Sequence, residues 1–481
     1  MSPSNKSGLP YWSLALPLIA ITAEIFGKPE HRLWAAVLSA SIYTALQWLL
    51  PKCRFRPEYY FSPINFAMVM MLLKLVVAPS CAIVLGPDSP VLTFLPSNSS
   101  MNAALLIDTV AYIALCIGLT LTPDADPSHR ITLPTPSKGI ILSYIAIGLI
   151  GFIAVFGSFG RIVDYFLEPK AISEIAQAQQ QTVAGLAGTF LRPFLAFSLV
   201  AWWSRILDRG KPVLKLTIAG LLASFIITLA NLTYSFNRAA FLFPLLALAA
   251  IYHNRLQKIP IMVLLLGGAL GLPALSMIFT YRSNMMVGRE TETGNALLDV
   301  TTKFNENLQG YAVGPHYTGL FYERIGWGDQ LYWGSTLLSS ALSPIPVLGK
   351  AFRGENGPSL YNRALYGIDG FQDQILPFDA ELFANFHAVG VIVGYIAVGF
   401  LLGKLDFWIL ASGTSFTAFT FQYAGIWTAM LTIWSLSIYA QILIYFFGPV
   451  YVYVALVHLR QWLRRIAHPN LAVNTTWEPA K

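Results

Sequence analysis

Residues that could bind or transform a polar ligand are concentrated in one long polar stretch, 282–386, of an otherwise apolar chain. Guanidinium groups bind phosphate or carboxylate bidentately and keep their charge at any physiological pH. Aromatic side chains present an apolar face that can stack on a sugar and a polar edge that can hydrogen bond to it. The candidate binding residues of this stretch are Arg282, Arg289, Arg324, Arg353, Arg363, Tyr317 and Trp333. The arginines favour a site for an anionic ligand. The alternative is a cap at the membrane surface whose rings anchor it and whose arginines pair with lipid phosphates.

Ionisable residues also lie within or beside the apolar runs, where they are costly and by default mark function. Arg238 ends a Ser-Phe-Asn-Arg step between two such runs, and we interpret it as functional. Arg192 lies inside another run and is equally compatible with a structural and a substrate-binding role. Lys74 is expected to pair with Asp108 or to extend towards water.

Two carboxylates close the polar stretch. Asp379 and Glu381 follow Pro377, which can start a helix, and a helix places Glu381 and Asn385 on one face. Carboxylates in a first helical turn interact favourably with the helix dipole and with free N–H groups. A structural role for Glu381 is therefore open beside a catalytic one.

Other motifs that would identify a chemistry are missing from the sequence. It has no G-x-x-x-x-G-K-[ST], G-x-S-x-G or H-E-x-x-H pattern. His316 and His387 have no second ligand at metal spacing, so we predict no metal site and a hydrogen-bonding or surface role for both. The three cysteines form neither a metal nor a disulfide pattern.

The composition identifies the class of protein that must position these residues. Charged residues make up 11% of the 481 positions, against about 25% in soluble domains, and hydrophobic residues make up 55%. The mean hydropathy is +0.58. These values exclude a soluble, disordered, coiled-coil or disulfide-stapled protein. We therefore predict an all-α polytopic membrane protein that forms a single integral membrane domain, residues 1–481.

Apolar runs long enough to cross a membrane predict twelve spans. They are 11–26, 33–50, 65–86, 103–122, 139–157, 184–206, 213–235, 239–253, 260–281, 387–404, 408–430 and 432–458, with the last division expected near 429–432. Lysine and arginine alternate between the loops as expected if both termini are cytoplasmic. The stretch 282–386, between the ninth and tenth spans, is then one long loop on the outer face, with short surface helices predicted at 296–309 and 333–343.

Two local patterns, together with this layout, resemble the bacterial oligosaccharide repeat-unit polymerases (O-antigen polymerases, Wzy-type). The first is Ser-Phe-Asn-Arg-Ala-Ala-Phe at 235–241, before an apolar helix. The second is Pro377 followed by Glu-Leu-Phe-Ala-Asn-Phe at 381–386 and a helix with several glycines. His387 stands where that family usually has a glycine.

The resemblance implies transfer of a growing glycan from its undecaprenyl-diphosphate carrier onto a new lipid-linked repeat unit, at the outer face of the bacterial inner membrane. It implies no metal or other cofactor, and partners such as a chain-length regulator and a flippase of the same pathway. Arg238 and Glu381 match the two patterns, whereas Arg282 and Arg289 correspond only by region. On this reading the arginines bind the diphosphate and Glu381 deprotonates the acceptor hydroxyl.

Two alternatives remain open at this point. A ligase of the same membrane class would move finished glycan onto another lipid, with the same use of arginines. A flippase or exporter of lipid-linked oligosaccharide would instead need a cationic cavity within the helix bundle.

Overall fold

The computed structural model describes most of the chain. The described residues are 10–56, 59, 61–86, 95–123, 130–167, 183–209, 218, 222, 226, 238–260, 262–263, 266, 308–310, 314–345, 348–352, 354–366 and 376–467. Across these residues the chain is helical and contains no β-strand, apart from one isolated bridge between Ile131 and Ser412. The all-α prediction is confirmed for this part of the chain.

Sixteen labelled helices give the element order of the described residues. In chain order they are α1 (Ala15–Phe26), α2 (Trp34–Leu49), α3 (Pro63–Leu85), α4 (Asn98–Thr120), α5 (Lys138–Phe156), α6 (Phe159–Leu167), α7 (Val183–Leu191), α8 (Pro193–Leu207), α9 (Arg238–Arg255), α10 (Pro315–Arg324), α11 (Ser335–Leu342), α12 (Gly357–Tyr366), α13 (Phe378–Leu410), α14 (Ser415–Met430), α15 (Leu436–Phe446) and α16 (Gly448–Ala467).

The chain divides into two compact units. The first comprises residues 1–124, 293–406 and 424–441, and the second comprises 125–292, 407–423 and 442–481. In the first unit α4 packs against α2 and α10, α10 packs against α12, and α11 packs against the start of α15. In the second unit α5 packs against both α7 and α8.

Five helices among the described residues are long and apolar enough to cross a membrane. They are α3, α4, α5, the α7–α8 pair taken together as Val183–Leu207, and α13. The bent pair Leu436–Phe446 and Gly448–Leu463 makes a sixth if it counts as one span. The protein is therefore membrane-embedded.

These helices coincide with predicted spans. The runs 65–86, 103–122, 139–157 and 184–206 match α3, α4, α5 and the α7–α8 pair within a few residues. α14 ends at Met430 and α15 begins at Leu436, which places the last division close to where it was predicted. The predicted surface helix 333–343 is α11. Most of 213–235 and 260–281, and positions 296–307, lie outside the described residues.

The tenth span differs from its prediction. α13 begins at Phe378 rather than His387, and its φ and ψ angles leave the helical region at Phe386 and His387 before the helix resumes. The run used to predict the span starts after this interruption, whereas the helix itself starts directly after Pro377, the residue that the sequence indicated as a possible helix start. α13 therefore brings the two carboxylates predicted at the end of the loop into the interior of the first unit.

Candidate functional site

The first turns of α13 carry three buried polar side chains. Pro377 precedes the helix, and its carbonyl accepts the Glu381 N–H at 3.1 Å. Asp379, Glu381 and Asn385 are each 0% exposed. Because a buried polar group without a partner is costly, each of these side chains needs a specific neighbour.

Asp379 belongs to a buried ion cluster. The Lys74 Nζ of α3 lies 2.8 Å from both carboxylate oxygens of Asp379 and 3.0 Å from Asp108 Oδ1 of α4. Tyr395, on a later turn of α13, donates its hydroxyl to Asp379 Oδ1 at 3.3 Å. None of the four side chains is more than 1% exposed. The predicted Lys74–Asp108 pair is confirmed, and Asp379 is its third member; we call Lys74, Asp108 and Asp379 the triad.

The helix that supplies the lysine is irregular at that point. Residues Leu73–Val77 form a π-helical turn inside α3, with Lys74 in it. Such turns are rare and occur frequently at functional sites. The triad therefore combines an uncommon backbone feature with ionisable groups inside helices able to span a membrane, and either feature points to function.

Glu381 faces a different set of partners. Ser340 of α11 donates its hydroxyl to Glu381 Oε1 at 2.5 Å and accepts the Gly357 N–H at 3.0 Å. Gly357 begins α12 with its backbone directly against the carboxylate, so that a Cβ at this position would overlap the Glu381 side chain. Three helices, α11, α12 and α13, thus meet at the carboxylate.

Asn385 connects the first turns of α13 to residues at the start of α11 through hydrogen bonds. Its side-chain oxygen accepts the Gly334 N–H at 2.8 Å, and its amide donates to Thr336 Oγ1 at 2.6 Å and to the Glu381 carbonyl at 2.7 Å. The last bond confirms that Glu381 and Asn385 share a helix face. The amide therefore holds the chain around Trp333 against the α13 break.

Exposed rings surround that break. Trp333 is 74% exposed and its ring lies edge-on to Phe386, which is 37% exposed. Trp333 and His387 have φ of +47° and +54°, and nearby Trp327 has +53°. Bulky residues rarely adopt positive φ, and such strain clusters at functional sites. We call Trp333, Phe386 and the half-buried His387 the aromatic surface.

His316 departs from its predicted role. It is 0% exposed, and neither ring nitrogen has a hydrogen-bond partner among the described residues. Burial lowers the pKa of the His316 imidazole from 6.5 to about 3, so the ring is neutral at pH 7. The prediction of a hydrogen-bonding or surface histidine is wrong at this position because α10 turns His316 inward with Tyr317.

The predicted binding residues take several positions. Arg324 and Arg363 are exposed, whereas Tyr317 is 2% exposed, so its ring is not on a surface that a sugar can reach here. Arg192, in the second unit, lies between α7 and α8, and its guanidinium carbon is 6.0 Å from the ring centroids of both Phe152 and Phe156. The Arg238 side chain and the residues Arg282, Arg289 and Arg353 lie outside the described part of the molecule.

Sequence reasoning missed the Lys74–Asp379 contact, which joins positions 305 residues apart. The signal was present but ambiguous. Asp379 lies two positions after Pro377 and precedes an apolar run, a place where an acid in the first helical turn is common. Only its burial among α3, α4 and α13 distinguishes an ion-pair partner from a surface carboxylate.

Comparison with known proteins adds no relative: no family model, no curated protein and no solved structure matches the chain. Within the described residues no group of three histidine, cysteine or acidic side chains is placed to hold a metal ion.

Proposed function

We propose that the protein polymerises undecaprenyl-diphosphate-linked oligosaccharide repeat units into a surface polysaccharide, such as O-antigen, capsule or exopolysaccharide. The reaction is a metal-independent glycosyl transfer at the periplasmic face of the bacterial inner membrane. In this proposal the chain crosses the membrane twelve times with both termini cytoplasmic, and residues 282–386 form the periplasmic loop.

The observation that carries the proposal is the arrangement at the start of α13. The Glu-Leu-Phe-Ala-Asn-Phe pattern, on which the resemblance to polymerases rests, forms a short helical stretch that ends at the aromatic surface. Asn385 ties that stretch to the chain beside Trp333. A sugar stacked on Trp333 would then lie close to the helical turns that carry Glu381.

The chemistry requires neutralisation of the departing lipid diphosphate. Many enzymes use Mg²⁺ for this purpose, and fixed arginines can supply the same positive charge. We assign the diphosphate to Arg238, Arg282 and Arg289, with Arg192, Arg324, Arg353 and Arg363 as further binding residues. Glu381 is assigned as the base for the acceptor hydroxyl, a role that requires the acceptor to displace the Ser340 contact.

A second candidate, a flippase or exporter of lipid-linked oligosaccharide, is favoured by one specific observation. A transporter coupled to ions is expected to bury acids inside its helices, and Asp108, Asp379 and Glu381 are all fully buried in the first unit. This observation bears on ion coupling and is separate from the cationic cavity that a flippase would need for its substrate. A ligase uses the same arginine chemistry as a polymerase and differs only in its acceptor.

One reconstitution separates the three. Purified protein is inserted into vesicles, supplied with a synthetic lipid-linked repeat unit in the presence of a chelator, and its products are resolved by gel electrophoresis. A ladder of chain lengths is the expected result. Transfer only to a second lipid identifies a ligase. Movement of the substrate between leaflets without any new glycosidic bond identifies a flippase and overturns the proposal.

A further inference from the structure

The triad has an imbalance of charge. It contains one ammonium group and two carboxyl groups, all at most 1% exposed, on three helices that can each span a membrane. With both carboxyls ionised the cluster carries a net charge of −1 where water cannot compensate it. An uncompensated buried charge is so costly that a group normally takes up or releases a proton instead.

The two carboxyl groups have unequal support. Both oxygens of Asp379 accept hydrogen bonds from the Lys74 ammonium, and one of them also accepts the Tyr395 hydroxyl. Asp108 contacts the ammonium through one oxygen, and no described residue donates a hydrogen bond to it with good geometry. Donors stabilise the ionised form of an acid, so Asp379 is the better carboxylate of the two.

The two acids also share one neighbour: the Lys74 Nζ lies 3.0 Å from Asp108 Oδ1 and 2.8 Å from Asp379 Oδ1, so the two carboxyl groups lie side by side around the ammonium. Two carboxylates repel at such a separation, whereas a carboxylic acid donates to a neighbouring carboxylate. Among the described residues, the other ionisable groups near the pair are the hydroxyls of Tyr395 and Tyr322, which are neutral at pH 7. They bring no second positive charge.

We infer that Lys74, Asp108 and Asp379 form a binding site for one proton, carried by Asp108 and directed at Asp379. With the proton bound, the contact between α3, α4 and α13 has no net charge. The site binds a single proton from water reversibly. This binding does not depend on glycosyl transfer.

Infrared spectroscopy of the purified protein tests the site directly, since a buried protonated carboxyl has a C=O stretch separate from that of a carboxylate. We expect the wild-type protein at neutral pH to show this band. Asp108→Asn and Asp379→Asn should each decrease the intensity of this band by the contribution of one carboxyl group. In either variant the one remaining aspartate is ionised, because its negative charge balances that of the Lys74 ammonium. Lys74→Met should keep or strengthen it, because two acids remain with no cation.

Glu381→Gln and Asp406→Asn are the matched controls, since they remove other buried or partly buried acids and should leave the Asp108-dependent signal in place. An Asp108→Asn spectrum identical to the wild-type spectrum would overturn the inference. If the triad variants do not fold, ¹³C-labelled aspartate in the Asp406→Asn protein replaces them. The carboxylic acid band then moves with the label if an aspartate carries the proton, and an unmoved or missing band rejects the site.

Discussion

The position of Glu381 in the fold excludes one role that the sequence allowed for its carboxylate, that of an exposed cap. The sequence allowed either a capping acid or a base, and the structure buries the group on the Ser340 hydroxyl and against Gly357. A capping acid would remain at the surface of the first turn. The enclosed carboxylate is instead held in one orientation, which suits both the proposed base and a structural role in joining α11, α12 and α13.

Replacing Glu381 by glutamine separates the two roles. Gln can still accept the Ser340 hydroxyl, so Glu381→Gln should leave the unfolding temperature nearly unchanged while glycosyl transfer falls by roughly 100-fold or more. Transfer rates and thermal unfolding are measured on the same preparation. Ser340→Ala is the control, since it removes the donor and keeps the carboxylate. Full polymer length and yield from Glu381→Gln would remove the base from the mechanism.

His316 makes a prediction about pH. The folded protein keeps the ring neutral down to about pH 3, whereas the unfolded chain binds a proton below its ordinary pKa of 6.5. Unfolding therefore becomes easier as the pH falls through this range, by on the order of 1.4 kcal/mol per pH unit. His316→Phe should show a smaller fall in unfolding temperature between pH 6.5 and pH 4 than the wild type.

The same variant has an internal control. Above about pH 7.5 the His316 ring of the wild type is neutral in both the folded and the unfolded state, as the phenylalanine ring of the variant always is. The unfolding temperatures of the two proteins should therefore change equally with pH in this range. Equal slopes for both proteins across the acid range as well would mean that His316 is not buried as a neutral ring.

At the scale of elements, α13 determines which residues meet. Periodicity and hydropathy predict a helix where the apolar run lies, and for α3, α4 and α5 this located the element within a few residues. For α13 hydropathy placed the span at 387–404, and Pro377 indicated the earlier start of the helix. The burial of Asp379 and Glu381 in its first turns depends on α3, α11 and α12 and was not predicted. Contacts between distant elements are not encoded in the local pattern, so the triad could be predicted only in part.

The junction between α12 and α13 can be tested by adding one methyl group. Gly357→Ala places a Cβ against the Glu381 carboxylate and should cost about 1–3 kcal/mol of stability or displace the acid. Gly354→Ala is the matched control, because open space surrounds that position. Chemical or thermal unfolding of both variants measures the difference. Equal stability would show that the carboxylate does not pack against α12.

At the scale of the whole molecule, composition alone identified a membrane protein, because 11% charged residues cannot cover a soluble surface of this size. The sequence predicted less about the function, in particular which aromatic residues are exposed to a ligand. The short motifs around Arg238 and Glu381 imply a polymerase, but burial of Tyr317 and exposure of Trp333 depend on how α10 and the chain before α11 pack. Aromatic composition does not distinguish a ring that stacks on a ligand from one that fills the core.

In the proposed reaction, guanidinium groups rather than a metal ion neutralise the diphosphate that leaves. The most direct measurement is the transfer rate of Arg238→Lys in chelator, with Arg255→Lys at the opposite end of α9 as the control. Lysine keeps the charge but not the bidentate fork, so we expect Arg238→Lys to lose roughly 100-fold in rate while Arg255→Lys stays near the wild-type value. An unimpaired Arg238→Lys enzyme, or a reaction that stops when the chelator is added, would contradict the account.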